Sequence, residues 1–360
     1  MKNSFSKYFV LLLAFLPITC MAENSISSER LKQKADSCVN EFNYNEAVLY
    51  YSQLYKIKED LIVARKLVDA HKHIGHYKEC ISILRTFPTD SLKYEDLRSL
   101  FFSYRNLANS DSLLFYGDSI ITLNPYDSEV VVSLATYCNT INHFSKTIDI
   151  CQRYLQKDSL NMPVLRQFGY ASYLTGNYQE AYNSYMQLQK NGFENYESSF
   201  IIGISLENLG KNSEAYDYLL QATKFKNNKD FPSLYHLGKI CISIGLGTEG
   251  VDFLEKAIKL QTPDSVMLST LYKGVAEGYF LSHKYKEAAL AFENSSLYES
   301  KNPITYYNIA QMYETIGIED KVIHYYTLFL KYSEKLKDST ENKEMVSAAK
   351  QKLKEKSLRL

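Results

Sequence analysis

This chain repeats itself every 34 residues, and no other feature restricts its fold as strongly. Between Phe168 and Ala222, Gly169 and Gly203, Gly176 and Gly210, and Ala181 and Ala215 are each 34 residues apart. Each copy reads as helix, glycine turn, helix. A unit of that size cannot bury its apolar face alone and must stack on its neighbours, so the period predicts a solenoid.

Carried outward, the period predicts nine units, starting near Ser28, Leu61, Tyr94, Ser128, Met162, Tyr196, Phe231, Ser269 and Pro303. Counting from each start, position eight is Gly or Ala in seven of the nine units, from Ala35 to Ala310. Position twenty, reading Ala47, Cys80, Ala181, Ala215, Gly250 and Ala288 in six of them, is also small. Two helices that cross closely need small residues at the crossing. Large residues at positions four and twenty-four, such as Leu165, Tyr185, Leu219 and Leu254, supply the apolar faces between them. Gly75, Gly176, Gly210, Gly245 and Gly317 all fall at position fifteen, where the chain must reverse. Unit three departs from this pattern, with Phe101 and Leu113 at the small positions and Gly117 at the large one, which predicts an altered crossing. The interval of 38 residues before Ser269 predicts a longer loop around Gln261 to Val266.

Helix, glycine turn and helix with small residues at positions eight and twenty resembles the tetratricopeptide repeat (TPR) family. The resemblance implies an all-α, right-handed α-solenoid of about nine TPR helix-turn-helix units over residues 28–334. Beyond it, Asp338 and Glu341 open a segment with Val346, Ala349 and Leu353 at helical spacing, which predicts a C-terminal capping helix over 338–357. We read these units as one array.

The first 22 residues read as a secretory signal peptide. Lys2 and Lys7 precede the apolar run Tyr8 to Leu16, and small residues at Cys20 and Ala22 suit cleavage after Ala22. The expected location is therefore across the inner membrane, in the periplasm. A lipid anchor on Cys20 is the alternative, although Pro17-Ile18-Thr19 matches the usual lead-in poorly. No later run is long enough for a membrane span. Cleavage leaves 39 basic and 41 acidic residues, a near-neutral balance unlike the basic faces of nucleic-acid binders. Five cysteines remain, Cys38, Cys80, Cys138, Cys151 and Cys241, all at inward-facing positions as small apolar fillers. Cys138 and Cys151 share a unit, so a single disulfide between them is left open.

No residue pattern motivates catalysis. His71, His73, His76 and Cys80 form the one metal-like run, but their spacing sends them in different directions around a helix and its turn, against a tetrahedral site. Gly-rich phosphate loops, nucleophile elbows and zinc-protease helices are missing. The expectation is a non-catalytic protein without metal or cofactor. The aromatic stripe at Tyr44, Tyr77, Phe144, Tyr178 and Tyr285 is read as core.

In TPR proteins the first helices line a concave groove with positions two, five, nine and twelve, and the resemblance assigns that role here residue by residue. Lys32, Arg65, Lys72, Arg98 and Arg105 then make a basic groove end. Tyr170, Tyr173, Phe200, Ile204, Tyr235, Ile242, Phe280 and Tyr307 make an apolar and aromatic band that core packing does not consume. Such a band suits a partner protein or peptide, and its tyrosines would also stack on the sugar faces of a cell-wall glycan. Some family members grip a peptide carboxylate with Lys at position five and Asn at position nine. Here Lys32 is followed by Asp36, whose charge would repel it, so that activity is not expected.

Overall fold

A computed structural model of the 360-residue chain describes residues 27–260 and 264–357. The expected signal peptide, with Cys20, lies outside them. The described residues are all-α. Helix α1 spans 27–40. It is followed by α2 (Tyr44–Ile57), α3 (Leu61–His73), α4 (Tyr77–Leu84), α5 (Tyr94–Asn106), α6 (Ser110–Leu123), α7 (Ser128–Thr140), α8 (Phe144–Leu155) and α9 (Met162–Leu174). Then come α10 (Tyr178–Lys190), α11 (Tyr196–Asn208), α12 (Asn212–Phe225), α13 (Phe231–Ser243), α14 (Gly247–Leu260), α15 (Ser265–Leu281), α16 (Tyr285–Tyr298), α17 (Pro303–Thr315), α18 (Glu319–Tyr332) and α19 (Thr340–Ser357). Odd-numbered helices up to α17 are the first helices of the nine units. They form two compact bodies, one ending at Gln167 and one starting at Phe168, inside α9. From α2 to α8 in the first body, and from α10 to α19 in the second, each helix packs on the next.

The turns have one geometry throughout. Position fifteen has a positive φ in all nine described units, held by Gly75, Gly176, Gly210, Gly245 and Gly317 as expected, but also by Phe42, Ala108, Asn142 and His283. Behind it the amide of position sixteen donates to the carbonyl of position eleven, from Asn43 to Cys38 through Ile318 to Tyr313, at 2.7–3.0 Å. This bond closes the helix end and fixes the reversal, and it pins the left-handed residue whether or not that residue is glycine.

Small residues let the paired helices touch. A Cβ on Gly203 would lie 2.6 Å from Leu219 Cγ, and one on Gly238 would lie 2.5 Å from Leu254 Cγ. Unit three exchanges the partners. Phe101 is fully buried, and a Cβ on Gly117 would meet its ring at 3.1 Å, so the large residue has moved to the first helix and the small one to the second. The 38-residue interval is also absorbed within an element. Helix α15 has 17 residues and starts four ahead of Ser269, whereas α13 and α17 have 13 each, so the excess lengthens a helix rather than a loop alone.

All five cysteines of the described residues are buried free thiols, and no bond joins Cys138 to Cys151. Burial pushes the Cys138 thiol up to about 11. Helix α19 buries Ala349 completely and packs Met345, Val346 and Leu353 on the core of the second body. Its N-terminus is capped by the Ser339 hydroxyl, which accepts from the Asn342 amide at 3.2 Å. No helix of the described residues is long and apolar enough to cross a membrane.

Candidate functional site

First helices of successive units are joined by a recurring polar rung from position twelve of one to position six of the next. In the first body Lys72 Nζ donates to Ser99 Oγ at 3.2 Å, Arg105 Nη1 to Ser133 Oγ at 2.9 Å, and Asn139 Nδ2 to Gln167 Oε1 at 3.0 Å. In the second, Glu207 Oε2 meets His236 Nδ1 at 2.6 Å, with Lys239 Nζ on the other carboxylate oxygen at 3.0 Å. Burial alone would raise the Glu207 carboxyl, but His236 and Lys239 outweigh it and hold the group below its ordinary value. Position six was not among the expected groove positions. Its polar character in Ser99, Ser133, Gln167 and His236 is the signal that could have found it.

These rungs and their neighbours alter the reading of the basic end. Arg65 is committed to Asp96, with Nε to Oδ1 at 3.0 Å and Nη2 to Oδ2 at 2.8 Å, and lies over the Phe87 ring. Arg98 donates to Asp127 at 2.6 Å and Glu129 at 2.7 Å, and Asp127 is itself the cap of α7. Lys72 also reaches Asp69 at 3.2 Å. Arg65 and Arg98 therefore latch one unit to the next and are not a free cationic surface. Lys32, Lys72 and Arg105 remain exposed, the last two each with a single rung bond to the next unit.

The aromatic band falls wholly within the second body, and packing divides it. Tyr170 and Phe280 are open to solvent, at 37% and 46% exposure. Tyr173, Phe200 and Tyr235 are half-buried, Phe200 stacked on Tyr196 and Tyr235 stacked on Phe231. Ile204 is buried at 4% exposure and leaves the band. Ile242 packs against Gly250 and Gly278, and Tyr307 lies edge-on to Tyr326 and Phe329, so both serve the core as well. Register gives each side chain a direction around its own helix, but the neighbouring helix decides how much of it stays uncovered. The stripe read as core is likewise only half-buried: Tyr44, for example, stacks on His73 with ring centroids 4.0 Å apart.

Cavities open along the first helices of the described residues, three of which bear on the expected groove. One of about 520 Å³ is lined by Asp36, Lys66, Asp69 and His73 among others, and its charges are paired, Lys66 with Asp36 at 2.6 Å and Lys72 with Asp69. A second, of about 440 Å³, holds Arg105 with its Ser133 bond. The third, of about 210 Å³ between α15, α16 and α17, is lined by Glu277, Phe280, Phe292, Asn308, Gln311 and Met312. Here Phe280 and Asn308 stand at positions twelve and six, yet no rung closes the seam. Burial pushes the Glu277 carboxyl above its ordinary value, against a smaller opposing pull from Lys273.

His71 Nδ1 and His76 Nδ1 lie 3.3 Å apart, while His73 turns to Tyr44 and Cys80 donates to the Val68 carbonyl. No group of three metal-ligating side chains is assembled among the described residues.

No protein-family model matches the sequence, and no curated protein matches it. Among solved structures, the chain is similar to YrrB, described as a TPR protein with an unusual peptide-binding site. That match has 15% identity and a TM-score of 0.46, covering 52% of this chain and 95% of that one. It is also similar to the C-terminal part of a TPR repeat-containing protein from Cytophaga hutchinsonii, with 14% identity, a TM-score of 0.49, and 61% and 84% of the two chains covered. The Cut9 and Hcn1 assembly of APC/C matches over 85% of this chain and 58% of that one, with 14% identity and a TM-score of 0.44.

Proposed function

We propose that this protein is a non-catalytic interaction scaffold of the cell envelope, exported by its N-terminal segment, that binds a partner protein or peptide on the first helices of its second body. The observation carrying this reading is the exposure of Tyr170 and Phe280 on a face whose other aromatics, Tyr173, Phe200 and Tyr235, are held in place by stacking or partial burial. Aromatic side chains that stay open beside fixed ones supply contact area at little entropic cost. The amide and carboxylate groups beside Phe280 provide hydrogen-bonding partners suited to a peptide. The peptide-binding description of YrrB points the same way.

Replacing Tyr170 and Phe280 together with Ala tests the reading in a pull-down from envelope extract. Removing two anchors is expected to lower recovery of a specific partner at least tenfold, since about 1.4 kcal/mol suffices for that factor. Unchanged recovery by a folded double variant contradicts the reading. A melting temperature raised by cell-wall fragments and unmoved by peptides would favour a glycan instead.

A further inference from the structure

Charged groups at the seams between first helices are paired almost throughout: Asp36 with Lys66, Asp69 with Lys72, and Glu207 with His236 and Lys239. Glu277 departs from this. Its natural partner one helical turn back, Lys273, is bound to Glu299, which also takes the Ser269 hydroxyl at 3.0 Å. Among the described residues Glu277 makes no ion pair or hydrogen bond, and neither do the side-chain amides of Asn308 and Gln311 across the cavity. Glu277 lines the cavity yet stays open to solvent, so its carboxylate is an accessible anionic group that a ligand's charge can complete.

The walls narrow the choice of ligand. Phe280 presents an exposed ring, held edge-on to Tyr285 at a centroid distance of 5.9 Å, and Phe292 and Met312 form a buried apolar floor. A carboxylate beside an aromatic face calls for a cation, and two amide oxygens near it call for more than one donor. An ammonium offers a compact charge, whereas a guanidinium offers a flat face to stack on Phe280 and five donors to distribute over Glu277, Asn308 and Gln311. From this geometry we infer that the cavity between α15 and α17 takes an arginine side chain from a bound peptide. This inference rests on the peptide-binding reading and specifies its chemistry.

The test is isothermal titration of the chain with acetyl-Gly-Arg-Gly-amide and with its citrulline and lysine counterparts, repeated on Glu277→Gln. Citrulline keeps the shape of arginine and removes the charge. Saturable binding of the arginine peptide is expected, at least tenfold tighter than either counterpart and at least tenfold weakened by Glu277→Gln. The variant should unfold at the same temperature, because the carboxylate is exposed and the substitution keeps its shape. Equal affinity for the arginine and citrulline peptides, no arginine binding, or an unaffected variant overturns the inference. A lysine peptide that binds as tightly as arginine overturns the choice of guanidinium, and a lower melting temperature for Glu277→Gln would show a structural role instead. Partner recovery separates this inference from the reading beneath it. Recovery lost in the Tyr170 and Phe280 variant but retained in Glu277→Gln leaves the binding surface standing and removes the arginine pocket.

Discussion

Phe42 sits at position fifteen with φ of 59° and 78% of its surface exposed, a backbone state that glycine occupies without strain. A non-glycine residue there costs about 1–2 kcal/mol, and the greater freedom of glycine in the unfolded chain returns about half of that. Phe42→Gly is therefore expected to raise stability by about 0.5–1 kcal/mol. Gly238→Ala runs the opposite way. Its Cβ would lie 2.5 Å from Leu254 Cγ and 3.1 Å from the Gly250 carbonyl oxygen, and overpacking of this kind costs about 1–3 kcal/mol. Urea midpoints measured by circular dichroism check both signs. A second residue-level forecast concerns His71. Burial, and then the neighbouring His76, holds its imidazole below the ordinary value, so the folded chain binds that proton less readily than the unfolded chain does. The contribution of neutral His71 is complete above about pH 6.5 and is lost as pH falls below it. Melting temperature should drop more steeply from pH 7 to pH 5.5 in the wild type than in His71→Gln, and equal slopes would contradict this.

At the scale of elements, unit three shows how much of the array is legible in a sequence. Its period was visible while its packing was not, because Phe101 and Gly117 violate the size pattern separately and satisfy it only as a pair. An exchange of large and small across an interface preserves volume, and a rule applied to each position alone cannot see it. The pair should behave as a unit. Phe101→Gly leaves a cavity and Gly117→Leu overfills one, but the double variant removes the clash with Phe101 while that with Leu134, 2.9 Å from a Cβ on Gly117, remains. It should be less destabilised than the sum of the singles by about 1–3 kcal/mol, and additivity in denaturant titrations would contradict the exchange. Latches between elements were equally hidden. Arg65 finds Asp96, and Arg98 finds Asp127, some 30 residues away, so a basic stripe in the sequence became a row of ion pairs once the neighbouring unit was in place.

For the whole molecule, repetition made the fold readable, since the small residues, turn glycines and apolar positions recur at fixed places and need no knowledge of distant contacts. Function was legible only in part. Register located the band from Tyr170 to Tyr307, but which members stay uncovered depends on neighbouring side chains: Ile204 is buried, Ile242 and Tyr307 are shared with the core, and Phe280 opens onto a cavity. The unpaired Glu277, Asn308 and Gln311 come from two helices whose shared cavity no local pattern announces. Site-specific photocrosslinking in intact cells tests the partner surface most directly, with a benzoylphenylalanine placed in turn at Tyr170, at Phe280 and at Leu297, which is 76% exposed on the second helix α16. A discrete adduct of one partner from Tyr170 and Phe280, and none from Leu297, is the expected result. The same adduct from Leu297, or none from Tyr170 and Phe280, would contradict a binding surface on the first helices.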